Sequence, residues 1–194
     1  MHSTPESAAP SGYLKGKLLV AMPSIGDPRF DRAVVYMCEH TPEYAMGLMI
    51  NHPAEGVHFA DLLEQLDIRV DNPDDSIPIH TGGPVETSRG FVLHSADYVQ
   101  ESTHVISETI ALTETIDILK AIAERRGPQY NLLALGYAGW HAGQLDQEIK
   151  ANGWLHIEAD DELVFQTEPS QKWLRAMRKL GIDVSVLSGD VGHA

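Results

Sequence analysis

Three stretches of the chain carry residues able to bind or to react. Cys38, Glu39 and His40 close a Val- and aromatic-rich run, Ala33 to Cys38, that reads as a strand. Residues two apart on a strand face the same side, so Cys38 and His40 would share a face. An imidazole beside a thiol favours the thiolate, which makes the pair a candidate redox or ligand-sensing switch. A nucleophilic role would also need an oxyanion hole, and the plainer reading is a free cysteine packed in the core. The second stretch is TGGPVETSRGF, Thr81 to Phe91. Gly82 and Gly83 could form an anion nest beside Arg89. Gly-Pro clusters more often punctuate turns, so a tight turn with Arg89 paired to an acidic neighbour is the favoured reading. The third is LLALGYAGWHAGQLDQ from Leu132, read as a strand, a Gly-rich turn and a helix. Its spacing is that of a nucleophile elbow, but Ala138 stands where the serine would be and cannot attack a carbonyl. The helix start could hold an anion, or the turn could simply seat Trp140 in the core. If the two glycine segments converge, Asn51, His52, Gly82, Gly83, Arg89, Gly139, Trp140 and Gln144 would line one ligand pocket.

Other chemistries find little support. G-x-x-x-x-G-K-[ST] and a strand-following G-x-G-x-x-G are both absent, so no nucleotide cofactor is expected. The ten histidines form no H-x-H or H-E-x-x-H, so no metal site is expected. The segment Ser170 to Leu180 reads as a helix carrying Lys172, Arg175, Arg178 and Lys179, with no acidic residue between Gln171 and Ile182. This basic patch could grip an acidic partner or a phosphate backbone. The alternative is a solvated face whose cations suit the helix C-terminus. Trp173, Leu174, Met177 and Leu180 form the apolar stripe of that helix, and no helix-turn-helix precedes it.

The elements that must position these residues follow from periodicity. Lys17–Met22, Ala33–Cys38 and Ala45–Asn51 read as successive antiparallel strands. Phe59–Leu66 has helical spacing, and Asp71–Asp75 is an acidic loop. Ile77–His80, Gly90–Ser95 and Val105–Leu112 read as strands. A helix capped at Thr113 presents Ile116, Leu119, Ile122 and Ala123 and stops at Gly127-Pro128. Asn131–Tyr137 is nearly all apolar, hence a central strand covered on both faces. A helix from about His141 to Asn152 follows. Trp154–Glu158 and Glu162–Thr167 read as a hairpin, and Ile182–Leu187 as a last strand. Strands come in runs and outnumber helices, which points to an α+β fold with a mixed, mainly antiparallel sheet.

The 194 residues fit a single domain over 13–194 behind a loose tail at 1–12. Hydrophobic residues make up 43%, enough for a core without staples. The net charge of −14 argues against a general nucleic-acid binder and against docking on an anionic membrane. One cysteine permits no intrachain disulfide, and no segment reads as a targeting signal or membrane span, so a cytoplasmic protein is expected.

Four long segments also resemble the YqgE/AlgH family of bacterial proteins: KLLVAMPSIGDPRFDRAVVYMCEH from Lys17, AMGLMINHP from Ala45, GGPVETSRGFVLHS from Gly82 and LGYAGWHAGQLDQEIKANGWL from Leu135. The closing Gly192-His193-Ala194 fits the same pattern. Tyr44 departs from it, standing where members often carry glycine. The resemblance implies a bifurcated sheet partly closed into a small barrel and surrounded by helices. It implies a bacterial cytoplasmic protein, and some members carry the label of transcriptional regulator. It supplies no catalytic residues. The expectation is a non-enzymatic regulatory protein that acts through a protein partner without touching DNA. A ligand-binding protein or enzyme using the glycine pocket and a thiol sensor at Cys38 are its rivals.

Overall fold

The computed structural model describes residues 14–74 and 76–187. The tail at 1–12, Asp75 of the acidic loop and the closing Gly192–Ala194 lie outside the described residues. In chain order the strands are β1 (Lys17–Ala21), β2 (Val34–His40), β3 (Tyr44–Met49), β4 (Ile79–Thr81), β5 (Val85–Ser95), β6 (His104–Val105), β7 (Ile110–Thr113), β8 (Asn131–His141) and β9 (Trp154–Glu158). The helices are α1 (Phe59–Gln65), α2 (Ile116–Ala123), α3 (Gln144–Lys150), α4 (Pro169–Lys179) and α5 (Val184–Leu187). The strands pair in the order β6-β7-β5-β8-β3-β2-β1-β9. All these pairs are antiparallel, and β4 adds parallel to β8. The sheet curls into a half-barrel with helices alongside, an α+β fold.

Both faces of β1, β2, β7 and the first half of β8 are covered, which is why these strands read as nearly unbroken apolar runs. Alternation along β1 sends Leu18 and Val20 inward with Tyr36, Leu48, Leu93 and the α4 residues Trp173 and Met177. Leu19 and Ala21 point outward with Val35, Met37, Trp140 and Trp154, and Leu145 of α3 caps that layer. Beyond β8 the outer face belongs to α1 and α2, whose Phe59, Leu63, Ile118 and Ile122 pack on Ile79, Val92 and Leu133.

The division of the outer face follows from one strand serving two sheets. Residues Asn131–Leu135 of β8 pair with β5, and Leu133–Leu135 also with β4. Residues Ala138–His141 pair with β3 instead. Gly136, at φ 75°, is the bend between the two halves. Gly82 and Gly83 lie directly against this bend. A Cβ on Gly82 would stand 2.2 Å from the Gly136 carbonyl oxygen, and one on Gly83 would stand 2.0 Å from the Tyr137 carbonyl carbon. The Gly82 N–H donates to Leu135 O and its carbonyl accepts from Met49 N, both at 2.8 Å, so the glycine seam ties β3 to β8.

Several expected elements differ. The expected Gly-rich turn after Tyr137 is the second half of β8, extended because Gly139 and Trp140 pair with β3. The helix expected from His141 to Asn152 shortens to α3. Glu162–Gln166 is a π-helical turn and no hairpin strand. Asp160 nucleates it by accepting from Leu163 N at 2.8 Å, and the adjacent Leu163 and Val164 are both buried, a pattern that does not alternate. The last expected strand forms the short α5, started by Asp183 accepting from Ser185 N. Val105–Leu112 is interrupted into β6 and β7 by a turn in which Ser107 Oγ accepts from Ile110 N. Thr113 ends β7, where its hydroxyl meets His94 Nε2 at 2.8 Å, and Thr115 takes the N-cap position of α2.

The seam predicts a steric threshold. Gly82→Ala should cost about 3 kcal/mol or more, or abolish folding, because its Cβ meets immobile backbone. Gly90→Ala, whose Cβ would have nothing within 4 Å, should change stability little. Denaturant titration of both variants checks this, and equal small effects would contradict the seam.

Candidate functional site

A cleft of about 450 Å³ opens where β2, β3, the end of β8, the β5 excursion and the β6–β7 hairpin meet. Irregularities in three strands build it. Between Met37 and Glu39 the β2–β3 register slips, and Cys38 is the extra residue of that bulge. Between Val85 and Gly90 the β5–β8 register slips further, so Glu86–Arg89 leave the ladder and carry Arg89 over the opening. On the third side β8 has turned at Gly136 and presents Tyr137, Gly139 and Trp140.

The inner wall is apolar and aromatic: Cys38, Ala45, Phe91, Leu112 and Trp140 are all buried. Phe91 and Tyr137 meet edge to face with centroids 5.9 Å apart. The Trp140 indole donates to Glu148 at 2.6 Å, which fixes its ring against α3. Tyr44 is half exposed on the rim, beside Ser102 and His104.

The rim carries the charges. Arg89 Nη1 donates to Glu86 at 3.0 Å and Nη2 to Glu114 at 2.7 Å, and the guanidinium lies 5.2 Å from the Phe91 ring centroid. Hydrogen bonding to Glu86 and the charge of Glu114 raise the already high Arg89 pKa. Glu39 faces Lys15 at 3.8 Å. Burial, with Glu86 next, raises the Tyr137 phenol, so it stays neutral.

Cys38 is 4% exposed, and its Sγ lies 3.8 Å from the Tyr36 carbonyl oxygen, to which the thiol donates weakly. Burial pushes the thiol well above the ordinary cysteine range, and Glu39 and Glu114 push the same way. The expected Cys38–His40 face does not form, because the bulge breaks the strand alternation. His40 borders a separate small recess with Thr41, His141 and Gly143.

Of the residues expected in one pocket, Arg89, Gly139 and Trp140 line the cleft with Cys38. Gly82 and Gly83 are consumed by the seam, with the Gly82 amide spent on Leu135. Asn51 clamps the start of β2, its Oδ1 accepting from Val34 N and its Nδ2 donating to Arg32 O, both at 2.8 Å. His52 Nε2 lies 3.1 Å from Asp31 O. Gln144 Oε1 accepts from His141 N at the start of α3. Sequence reasoning named Glu39 only beside the thiol and missed the other members Tyr44, Phe91, His104, Glu114 and Tyr137. Only the bulges and the bend of β8 bring them together.

The fold withdraws one member of the basic patch, Lys172, from the surface. Lys172 is 2% exposed, and its Nζ donates to Ile50 O at 2.8 Å and Val164 O at 2.7 Å. It points into the half-barrel beside Trp173, whose indole donates to Ala21 O at 2.8 Å. Arg175 pairs with Glu162 and Lys179 with Asp160, and both stay exposed together with Arg178.

Comparison with known proteins agrees with this architecture. The family model described as AlgH-like matches residues 18–185. The chain belongs to the AlgH-like family. A UPF0301 protein of Bradyrhizobium diazoefficiens is 49% identical, over 98% of this chain and 92% of its own. One from Rhodospirillum rubrum is 51% identical, over 94% of this chain and 95% of its own. The solution structure of the AlgH protein from Pseudomonas aeruginosa superposes with a TM-score of 0.77 at 41% identity, with both chains fully covered. A Corynebacterium diphtheriae protein shares the fold at 22% identity, with a TM-score of 0.67 over 84% of this chain and 85% of its own. No helix among the described residues is long and apolar enough to cross a membrane.

Burial of Lys172 predicts a pH dependence. Desolvation lowers its pKa from 10.5 to about 8, partly offset by Glu168. Between those values the unfolded chain binds the proton and the folded chain does not, so this group's contribution to stability rises with pH across that window. The neutral amine keeps two N–H groups, one for each carbonyl. The stability of wild type relative to Lys172→Met should rise by about 1–2 kcal/mol from about pH 7.5 to pH 9.5. The variant is the necessary reference, because buried Cys38 and Tyr36, both raised, lose stability as pH rises. Parallel pH profiles would contradict the assignment.

Proposed function

We propose that this AlgH-like protein is a non-catalytic regulatory binding protein whose ligand occupies the Cys38–Trp140 cleft and whose output is contact with a protein partner. The observation that carries this reading is the character of the cleft. It has an aromatic inner wall, a charged rim and a volume in the small-molecule range. Its one thiol is buried, bonded to a carbonyl and held protonated, which disfavours attack on a substrate or on an oxidant. The reading of a regulator that does not grip DNA is supported by the state of the α4 cations, since Lys172 is internal and the charges of Arg175 and Lys179 are offset by Glu162 and Asp160. The thiol-sensor reading is the weaker one for the same reason that Cys38 is closed to solvent.

Thermal-shift titration with a panel of small aromatic and aliphatic compounds tests this. A compound should raise the Tm of wild type equally in reductant and in mild peroxide, without being consumed. Gly139→Leu, which places a side chain at the exposed Gly139 on the cleft wall, should unfold cooperatively and show no shift. Turnover of the compound, or a response that peroxide abolishes and reductant restores, would overturn the reading.

A further inference from the structure

The charges around the cleft define the kind of ligand it suits. Arg89 is the cation nearest the opening, and two carboxylates share it: Glu86 at 3.0 Å and Glu114 at 2.7 Å. A guanidinium already holding two carboxylates offers an incoming anion little net attraction, and the anion would have to displace one of them. Glu39 adds a third carboxylate, opposed by Lys15 at 3.8 Å. Three acidic groups against two basic ones leave the rim negative on a chain whose net charge is −14. The field therefore draws cations toward the opening.

The wall suits the same sign. Aromatic faces attract cations through their quadrupoles. The protein shows this with its own side chain, since the Arg89 guanidinium rests 5.2 Å from the centre of the Phe91 ring while bridging Glu86 and Glu114. Tyr44, Tyr137 and Trp140 add to the aromatic lining of the cleft, which Glu39 also borders. The Tyr137 phenol is neutral and adds no charge.

We propose that the cleft binds a small organic cation, a primary amine or guanidine on an aromatic or aliphatic body, with its charged end among Glu39, Glu114 and the aromatic rings. The inference rests on the cleft being the binding site and adds the ligand's charge. Arg89 then acts as a competitor for the same carboxylates. Removing it should help the ligand, which is the reverse of what an anion receptor would show.

Calorimetric titration with tyramine and with 4-hydroxyphenylacetate separates the cases, since the two share a phenol and differ in the sign of the other end. Tyramine should bind wild type at least about tenfold more tightly than the carboxylate. Arg89→Gln should tighten tyramine binding about three- to tenfold, and Glu114→Gln should weaken it by a similar factor. Both positions are exposed, so both variants should fold. Gly139→Leu should abolish binding. Preferential binding of 4-hydroxyphenylacetate that Gly139→Leu removes would overturn the cationic assignment and leave the cleft as the binding site. Binding of either probe that Gly139→Leu leaves intact, or no binding of either at millimolar concentration, would overturn both. Weaker tyramine binding by Arg89→Gln would overturn the competitor role and with it the proposal.

Discussion

Backbone pressed on backbone at Gly82, Gly83 and Gly136 is the constraint from which the rest of the architecture follows. Strand β8 can pair with β5 and β4 along its first half and with β3 along its second only if it bends between them. The bend needs the positive φ of Gly136, and the β4–β5 connection must then pass where no Cβ fits. Two sheets that diverge from a shared strand leave an opening on one side of it. The half-barrel interior is filled by α4. The opening near the end of β8 is left as the cleft.

Irregular pairing converts this opening into a site. The bulge at Cys38 and the longer excursion at Glu86–Arg89 are places where the ladder gives up hydrogen bonds. Bulges re-aim side chains, and here they set a buried thiol in the wall and a doubly paired arginine over the opening. The opposite side of the sheet is tied down by groups with no room to move. Lys172 reaches the carbonyls of Ile50 and Val164, and the Trp173 indole reaches that of Ala21. These bonds join α4 to the ends of β1 and β3, at the base of the sheet that carries one wall of the cleft.

The fold was largely legible in the chain, and the site much less so. The apolar runs at Lys17–Met22 and Ala33–Cys38 read as strands, and Phe59, Leu62, Leu63 and Leu66 as a helix; on α2 Ile122 and Ala123 are buried as expected, while Ile116 is exposed and Ile118 takes its place in the core. Gly139 was misleading, because glycine usually signals a turn and here sits within a strand. Leu163 and Val164 had no alternation, and that signal for helix was present but outweighed by the acidic pair before them. Lys172 was also readable in principle, four residues before the buried Ala176 and therefore on the same helix face. Its charge suggested solvent, and only the two carbonyls opposite it explain its burial. The cleft could not be read, since Cys38, Arg89, Glu114 and Tyr137 come from four strands or strand ends whose register slips have no local signature.

The central claim is that the bend in β8 makes a cleft for a small cation. Amide NMR spectra of the labelled protein titrated with tyramine test it most directly. Shifts should concentrate at Cys38–Glu39, Tyr44–Met46, Ser102–His104 and Tyr137–Trp140. Shifts clustered instead around the α1–α2 groove at Leu62 and Ile116, or around Arg32 and Trp173, would contradict it.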